Sequence, residues 1–285
     1  MTNVVQIREA ERASVVALHC SLGSGRQWTK LAAALGPGTP LIAPDLAGYG
    51  NNPGSFDLPM SLAQEVEDLS GALAEARGAI HLVGHSYGGA IAFKIATASA
   101  FSSRIRSLTL IEPVLPTLLK ESDADRRLHE RFVRLSRELY CDLWNGSVLE
   151  AIDKFSEFWR GSGPREPLAP AARIRMIEHA ERLAFDFTAA LAEENPIVAA
   201  ASLRVPTLLL SGGRSPYMTQ RIVQRLAAVI DGAELRHLPD GGHMLPLTHA
   251  AVVNAEIVRH IARADELARI PLMAGQLMAE AIRLG

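Results

Sequence analysis

Cysteine is nearly absent: the 285 residues hold only Cys20 and Cys141. They stand far apart with no CxxC spacing, which excludes a disulfide framework and fits a reduced compartment. Long apolar runs are missing as well. The longest mostly apolar stretches, 90–100 and 197–203, fall well short of the roughly 20 residues that span a bilayer. Near the start, Arg8, Glu9, Glu11 and Arg12 interrupt the apolar stretch that an export signal needs. A soluble, cytoplasmic protein is the expectation. Charge of one sign is also not in excess. Lys and Arg number 29 against 31 Asp and Glu, a net charge of −2, so no basic field draws nucleic acid or an anionic membrane. No HExxH zinc motif, GxxxxGK[ST] phosphate loop or solenoid-period repeat occurs. No metal or cofactor is expected, and the anticipated partner is a small-molecule substrate.

The hydrophobic content of 48% is enough to bury a full-sized core. Buried-looking runs at 15–18, 41–43, 80–83, 108–111, 207–210 and 234–238 alternate with helical patterns at 27–35, 61–75, 89–98, 219–230 and 249–263. That rhythm predicts an α/β fold, a doubly wound and mostly parallel sheet covered on both faces. It breaks between Pro113 and Ala201, where amphipathic helices occur without a strand. Leu128, Phe132, Leu135 and Leu139 recur there at helical spacing, with charges on the opposite face. The division is therefore a core of 1–112 and 202–285 and a helical insertion of 113–201. A further helix, 271–284, carries an apolar pattern that needs a surface to lie against, this subunit or a second copy in a homodimer.

The strongest chemical signal is Gly84-His85-Ser86-Tyr87-Gly88-Gly89, between the apolar run 80–83 and the helical AIAFKIATA. GxSxG at a strand-to-helix turn holds the serine strained, with its hydroxyl exposed. A nucleophilic serine needs a base. Of nine histidines, His243 lies in a glycine-rich loop after the last strand candidate, which would bring it to the same sheet edge as Ser86. A surface histidine in a turn is the alternative. Gly23-Ser24-Gly25, with Asp45 further on, hints at a dinucleotide site, but Trp28 occupies the third glycine position.

In chain order, LHCSLGSGRQW (18–28), PDLAGYG (44–50), GHSYGG (84–89) and GGHMLPLTHA (241–250) resemble the motifs of α/β-hydrolase fold proteins, in the branch with a helical lid inserted after the sixth strand. The resemblance runs from about Val15 to Ala262. It implies an oxyanion hole from the backbone N–H groups of Ser21 and Tyr87. Two departures stand out. Cys20 replaces the glycine that usually follows the loop histidine, and a small buried residue is the expected role for it rather than a second nucleophile. In addition, the family's common acid position falls at Ser215, which cannot hold an imidazolium.

Glu112 and Asp240 are the remaining candidates for the acid, beside the possibility of none. Glu112 closes the preceding strand in LTLIEP, the place used by haloalkane dehalogenases among the lidded relatives. The resemblance thus implies a serine hydrolase of esters or similar acyl bonds of a small apolar molecule, through Ser86, His243 and Glu112. Hydrolysis of a carbon–carbon bond in a diketone-like product of aromatic degradation is the runner-up, and a non-catalytic binding protein the third reading. Trp28, Trp144, Phe155, Phe158 and Trp159 are candidates for an apolar substrate pocket, with core packing as the alternative; Asp45 is expected to order its own loop.

Overall fold

The computed structural model describes residues 13–54, 61–163 and 169–284, with 271–284 described by their helical backbone alone. Six strands, β1 (Ser14–Leu18), β2 (Leu41–Ile42), β3 (Ile80–His85), β4 (Ile105–Ile111), β5 (Thr207–Gly212) and β6 (Glu234–Leu238), form one sheet in the order β2-β1-β3-β4-β5-β6. Every neighbouring pair is parallel. Because the chain winds one way from β1 to β2 and the other way from β3 onward, the order reverses between β1 and β3. In open α/β sheets, ligands bind outside the carboxyl ends of the strands at such a reversal.

The alternation of side chains along each strand divides the core in two. Val16 and Leu18 of β1, Leu82 of β3 and Leu209 of β5 face the larger cluster, whereas Val15, Ala17, Val83, Leu208 and Leu210 face the smaller one. The smaller cluster is closed by Leu31 of α1 (Thr29–Leu35) and by Val253, Ile257 and Ile261 of α12 (Ala250–Leu284). On the other face lie α2 (Leu62–Asp68), α3 (Ser70–Glu75), α4 (Tyr87–Ala98) and α10 (Tyr217–Val229). The edge strands β2 and β6 are only partly buried, as expected of strands paired on one side.

Between β4 and β5 the chain forms α5 (Asp123–Trp144), α6 (Val148–Arg160), α7 (Pro170–Glu178), α8 (Arg182–Ala192) and α9 (Pro196–Ser202). The helical segment thus follows the fourth of the described strands. Its apolar faces join the larger core: Phe132, Leu135 and Leu139 of α5 are buried, and Phe132 stacks on Phe187 of α8 at 4.7 Å between centroids.

After β6 come a single turn, α11 (Leu245–Thr248), and then α12. The sequence reading of two final helices, 249–263 and 271–284, is corrected to this one helix. The connecting residues 264–270 contain no glycine or other strong breaker, and Asp265 is held by Arg106 of β4 at 2.7 Å. Pro271 does not end the helix. The apolar pattern assigned to 271–284 lies outside the described side chains. Among the described residues no helix is long and apolar enough to cross a membrane.

Candidate active site

The site assembles at the carboxyl ends of β3, β4 and β6. Ser86 follows β3 directly and has φ 57° and ψ −119°, a backbone conformation costly for a residue with a Cβ. The turn is feasible because its neighbours are glycines. A Cβ on Gly84 would sit 2.4 Å from the Gly88 carbonyl, and one on Gly88 would sit 2.3 Å from the His19 carbonyl. The Ser86 N–H is tied to the Ile111 carbonyl, and its own carbonyl accepts from Val114. Strain in the elbow is therefore held by both flanks of the turn.

His243 Nε2 lies 2.8 Å from Ser86 Oγ, and its Nδ1 lies 2.6 Å from Glu112 Oε2. All three residues are buried, Glu112 completely. Glu112 sits one step beyond β4 at φ 45°, again a strained position for a non-glycine residue. Its second oxygen accepts the Gly212 N–H at 2.7 Å, so the end of β5 orients the carboxylate. Ser215, one loop further on, makes no hydrogen bond to His243; its buried hydroxyl has no hydrogen-bond partner among the described residues. Asp240 points to solvent and pairs with Arg214 at 2.7 Å.

Further residues hold this arrangement that the sequence did not single out. His85 Nε2–H donates to the His243 carbonyl at 2.8 Å, fixing the loop backbone beside the ring. Burial drives the His85 pKa well below the ordinary histidine value, so it serves as a neutral donor. His19 is likewise neutral, lowered to about 4 by burial. Its Nδ1–H donates to the Cys20 carbonyl at 2.8 Å while Nε2 accepts the Leu46 N–H at 2.9 Å, joining the two loops that follow β1 and β2. Each of these histidines sits next to a recognisable motif residue. Their spacing alone would not reveal their hydrogen bonds.

Burial pushes the Cys20 thiol up to about 12, far from the reactive thiolate range. Asp45 accepts the N–H groups of Gly25 and Asn51 at 2.8 and 2.9 Å and so closes its own loop. The Gly23-Ser24-Gly25 stretch has the same explanation, since a Cβ on Gly25 would collide with the Ala43 carbonyl.

The candidate pocket aromatics divide. Trp159 of α6 stacks on His243 at 4.3 Å between centroids and 20° between planes, and its indole N–H has no acceptor among the described residues. Phe155 and Phe158 pack around it. Trp28 and Trp144 are corrections. Trp28 is buried in the smaller core against Leu31, on the sheet face away from the helical segment. Trp144 ends α5 with 79% of its surface exposed and stacks on Tyr140.

A cavity of about 1000 Å³ opens between α5, α6 and the loop 213–218, lined in part by Arg131, Glu138, Phe158 and Met218, but not by Ser86 or His243. Ser86 lies instead beside His243, on whose ring Trp159 of α6 stacks. Among the described residues no cluster of three His, Cys, Asp or Glu side chains is placed to hold a metal ion.

Comparison with known proteins agrees with this architecture. The pattern of the alpha/beta hydrolase family matches residues 15–256. A putative carbamate hydrolase RutD from Variovorax paradoxus is 27% identical over 256 residues, covering 85% of this chain and 88% of that protein. Lipase LipV from Mycobacterium tuberculosis is 35% identical over 104 residues, but that match spans only 36% of this chain and 38% of the lipase. Among solved structures, MenH from S. aureus superposes with a TM-score of 0.72 at 18% identity, covering 90% of this chain and 96% of that one, which is a likeness of fold. With the match running from β1 into α12 and the elbow, the histidine loop and the strand order all in their places, the chain belongs to the alpha/beta hydrolase family.

Proposed function

We propose that the protein is a serine hydrolase that cleaves an ester or similar acyl bond of a small apolar substrate. The observation that carries this reading is the unbroken relay from Ser86 Oγ through His243 to Glu112, at 2.8 and 2.6 Å. In it, Ser86 attacks the carbonyl carbon as His243 Nε2 takes the hydroxyl proton, and Glu112 stabilises the imidazolium that forms. The N–H of Tyr87, in the first turn of α4 where the helix offers it no acceptor, and that of Ser21 receive the oxyanion. His243 then returns its proton to the leaving group, and water resolves the acyl-enzyme by the same steps in reverse.

The helical segment acts as a lid. Trp159 covers His243 and excludes water from the ring face, while Phe155 and Phe158 offer an apolar surface to the acyl part. The near full-length likeness to putative carbamate hydrolases adds carbamates to the acyl bonds worth testing.

The deciding experiment is labelling with a fluorophosphonate probe followed by turnover on a panel of esters of graded acyl length and matched carbamates. The chain should label at one serine, and Ser86→Ala should abolish both labelling and turnover. A labelled Ser86→Ala variant would move the nucleophile elsewhere. An unlabelled and inactive wild type would favour a binding protein on the same fold.

A further inference from the structure

Ser21 and Tyr87 are named above for their backbone N–H groups, yet their side chains end in one buried polar cluster. Ser21 Oγ donates to Asp186 Oδ2 at 2.5 Å, and so does the Tyr49 hydroxyl, also at 2.5 Å. Asp186 Oδ1 accepts from Arg182 Nε at 3.1 Å. The other arm of the Arg182 guanidinium is paired with Glu65 Oε1, which also accepts from the Tyr87 hydroxyl at 2.8 Å. The path Ser21–Asp186–Arg182–Glu65–Tyr87 therefore links the loop after β1 to the residue after the nucleophile. Arg182 and Asp186 belong to α8 of the helical segment, one turn apart, and Glu65 to α2.

The cluster has features of a built device rather than a chance surface pairing. Glu65 and Asp186 are 0% and 2% exposed and Arg182 only 4%, so each hydrogen bond acts in a low-dielectric interior and fixes its partner tightly. Room for the guanidinium arm is made by Gly48 of PDLAGYG, where a Cβ would lie 2.9 Å from Arg182 Cδ. One cation serves two carboxylates, and Glu65 Oε2 has no partner among the described residues. Packing alone would be served at lower cost by apolar residues. Its one evident geometric product is a cross-brace between the two loops that flank the β1–β3 reversal.

We infer that Arg182 is a positioning residue for the oxyanion hole, holding the Ser21 and Tyr87 segments at a fixed separation and coupling that separation to the seating of α8. The inference rests on the serine-hydrolase reading. It requires that loss of the brace weakens transition-state stabilisation while leaving ground-state binding intact, because the oxyanion exists only after attack.

The test compares Arg182→Met with two milder variants, Ser21→Ala and Tyr87→Phe, each of which cuts one tether and leaves the buried charges in place. Asp125→Asn is the control, since Asp125 is equally buried and bridges α5 to Arg221 and Arg225 of α10 without bonding to Ser86, His243 or Glu112. Kinetics on the best ester, melting temperature and affinity for an alkyl boronic acid, which forms a tetrahedral adduct on the serine, are measured for each. Arg182→Met should lose roughly 10- to 10²-fold in kcat with KM nearly unchanged, and lose boronate affinity in parallel. The two milder variants should follow in the same direction with smaller losses, while Asp125→Asn lowers the melting temperature and leaves kcat alone.

Variants that lose melting temperature but keep kcat and boronate affinity would reduce the cluster to a structural tie. Should Arg182→Met fail to fold, unchanged kcat in both milder variants would overturn the inference just the same. If the wild type neither labels nor turns over, the serine-hydrolase reading itself falls and takes this inference with it. A labelled, active wild type with indifferent variants rejects the brace alone.

Discussion

The two sides of β3 treat buried carboxylates in opposite ways. On the β4 side, Glu112 faces a histidine, a partner whose charge comes and goes, and is oriented by a backbone N–H from the next strand. On the β1 side, Glu65 and Asp186 face Arg182, whose charge is permanent, and two tyrosines and a serine complete the bonds. A carboxylate paired with a titratable ring can follow a proton through a reaction cycle. One paired with guanidinium faces a partner charge that does not change, because arginine stays protonated in proteins. In the proposed mechanism the difference gives proton handling to one side of Ser86 and rigid positioning to the other.

The largest expected effect breaks the β4 side. Glu112→Gln should lower turnover by roughly 10³- to 10⁴-fold with the fold intact, because the amide favours the wrong imidazole tautomer and cannot stabilise the imidazolium. Steady-state kinetics with circular dichroism as the fold check reads it directly. Near-normal turnover would remove Glu112 from the relay, and Asp240, exposed and paired with Arg214, is not placed to replace it.

A smaller effect probes the β1 side by pH. Burial raises Glu65 from the ordinary 4.5 to about 7 and Asp186 from 3.8 to about 6, in both cases against the pull of Arg182. A carboxyl raised in the folded state binds protons that the unfolded chain has already released, so it costs stability as pH climbs from its ordinary value to its folded one. Glu65→Gln removes that cost and leaves Arg182 and Asp186 as a one-to-one pair. The melting temperature of the variant relative to wild type should rise between about pH 4.5 and 7 and level off above. The gain should be on the order of 1–3 kcal/mol. A difference independent of pH would show that Glu65 ionises as it does in water.

The smallest effect sharpens the boundary of the β4 side. Ser215→Ala should leave turnover unchanged, since the hydroxyl it removes has no partner among the described residues. Ser215→Asp should lower the melting temperature by burying a second carboxylate in the loop whose Gly212 holds the first. Faster turnover in Ser215→Asp would mean that the loop after β5 still works as an acid position and that Glu112 is the weaker substitute.

The sequence by itself determined what is local. All six described strands were legible as short β-branched or aliphatic runs, and the helical segment from the loss of those runs after Pro113. The elbow was legible because its geometry is imposed by glycines within five residues of one another. His243 was legible from its glycine loop and its place after the last strand. Glu112 was visible only as a residue at a strand end once Ser215 had failed the chemistry, because nothing in LTLIEP states that β4 and β5 lie side by side.

Tertiary structure alone decided which distant groups meet. Glu65 and Arg182 stand 117 residues apart, and each reads in sequence as an ordinary charge on a helix. Trp28, Trp144 and Trp159 read alike as large apolar side chains, and only packing sent one to the smaller core, one to solvent and one onto the histidine. The physical reason is range: backbone propensity, turn chemistry and hydrophobic period act over a few residues, whereas desolvation and hydrogen-bond pairing depend on which surfaces the folded sheet brings together.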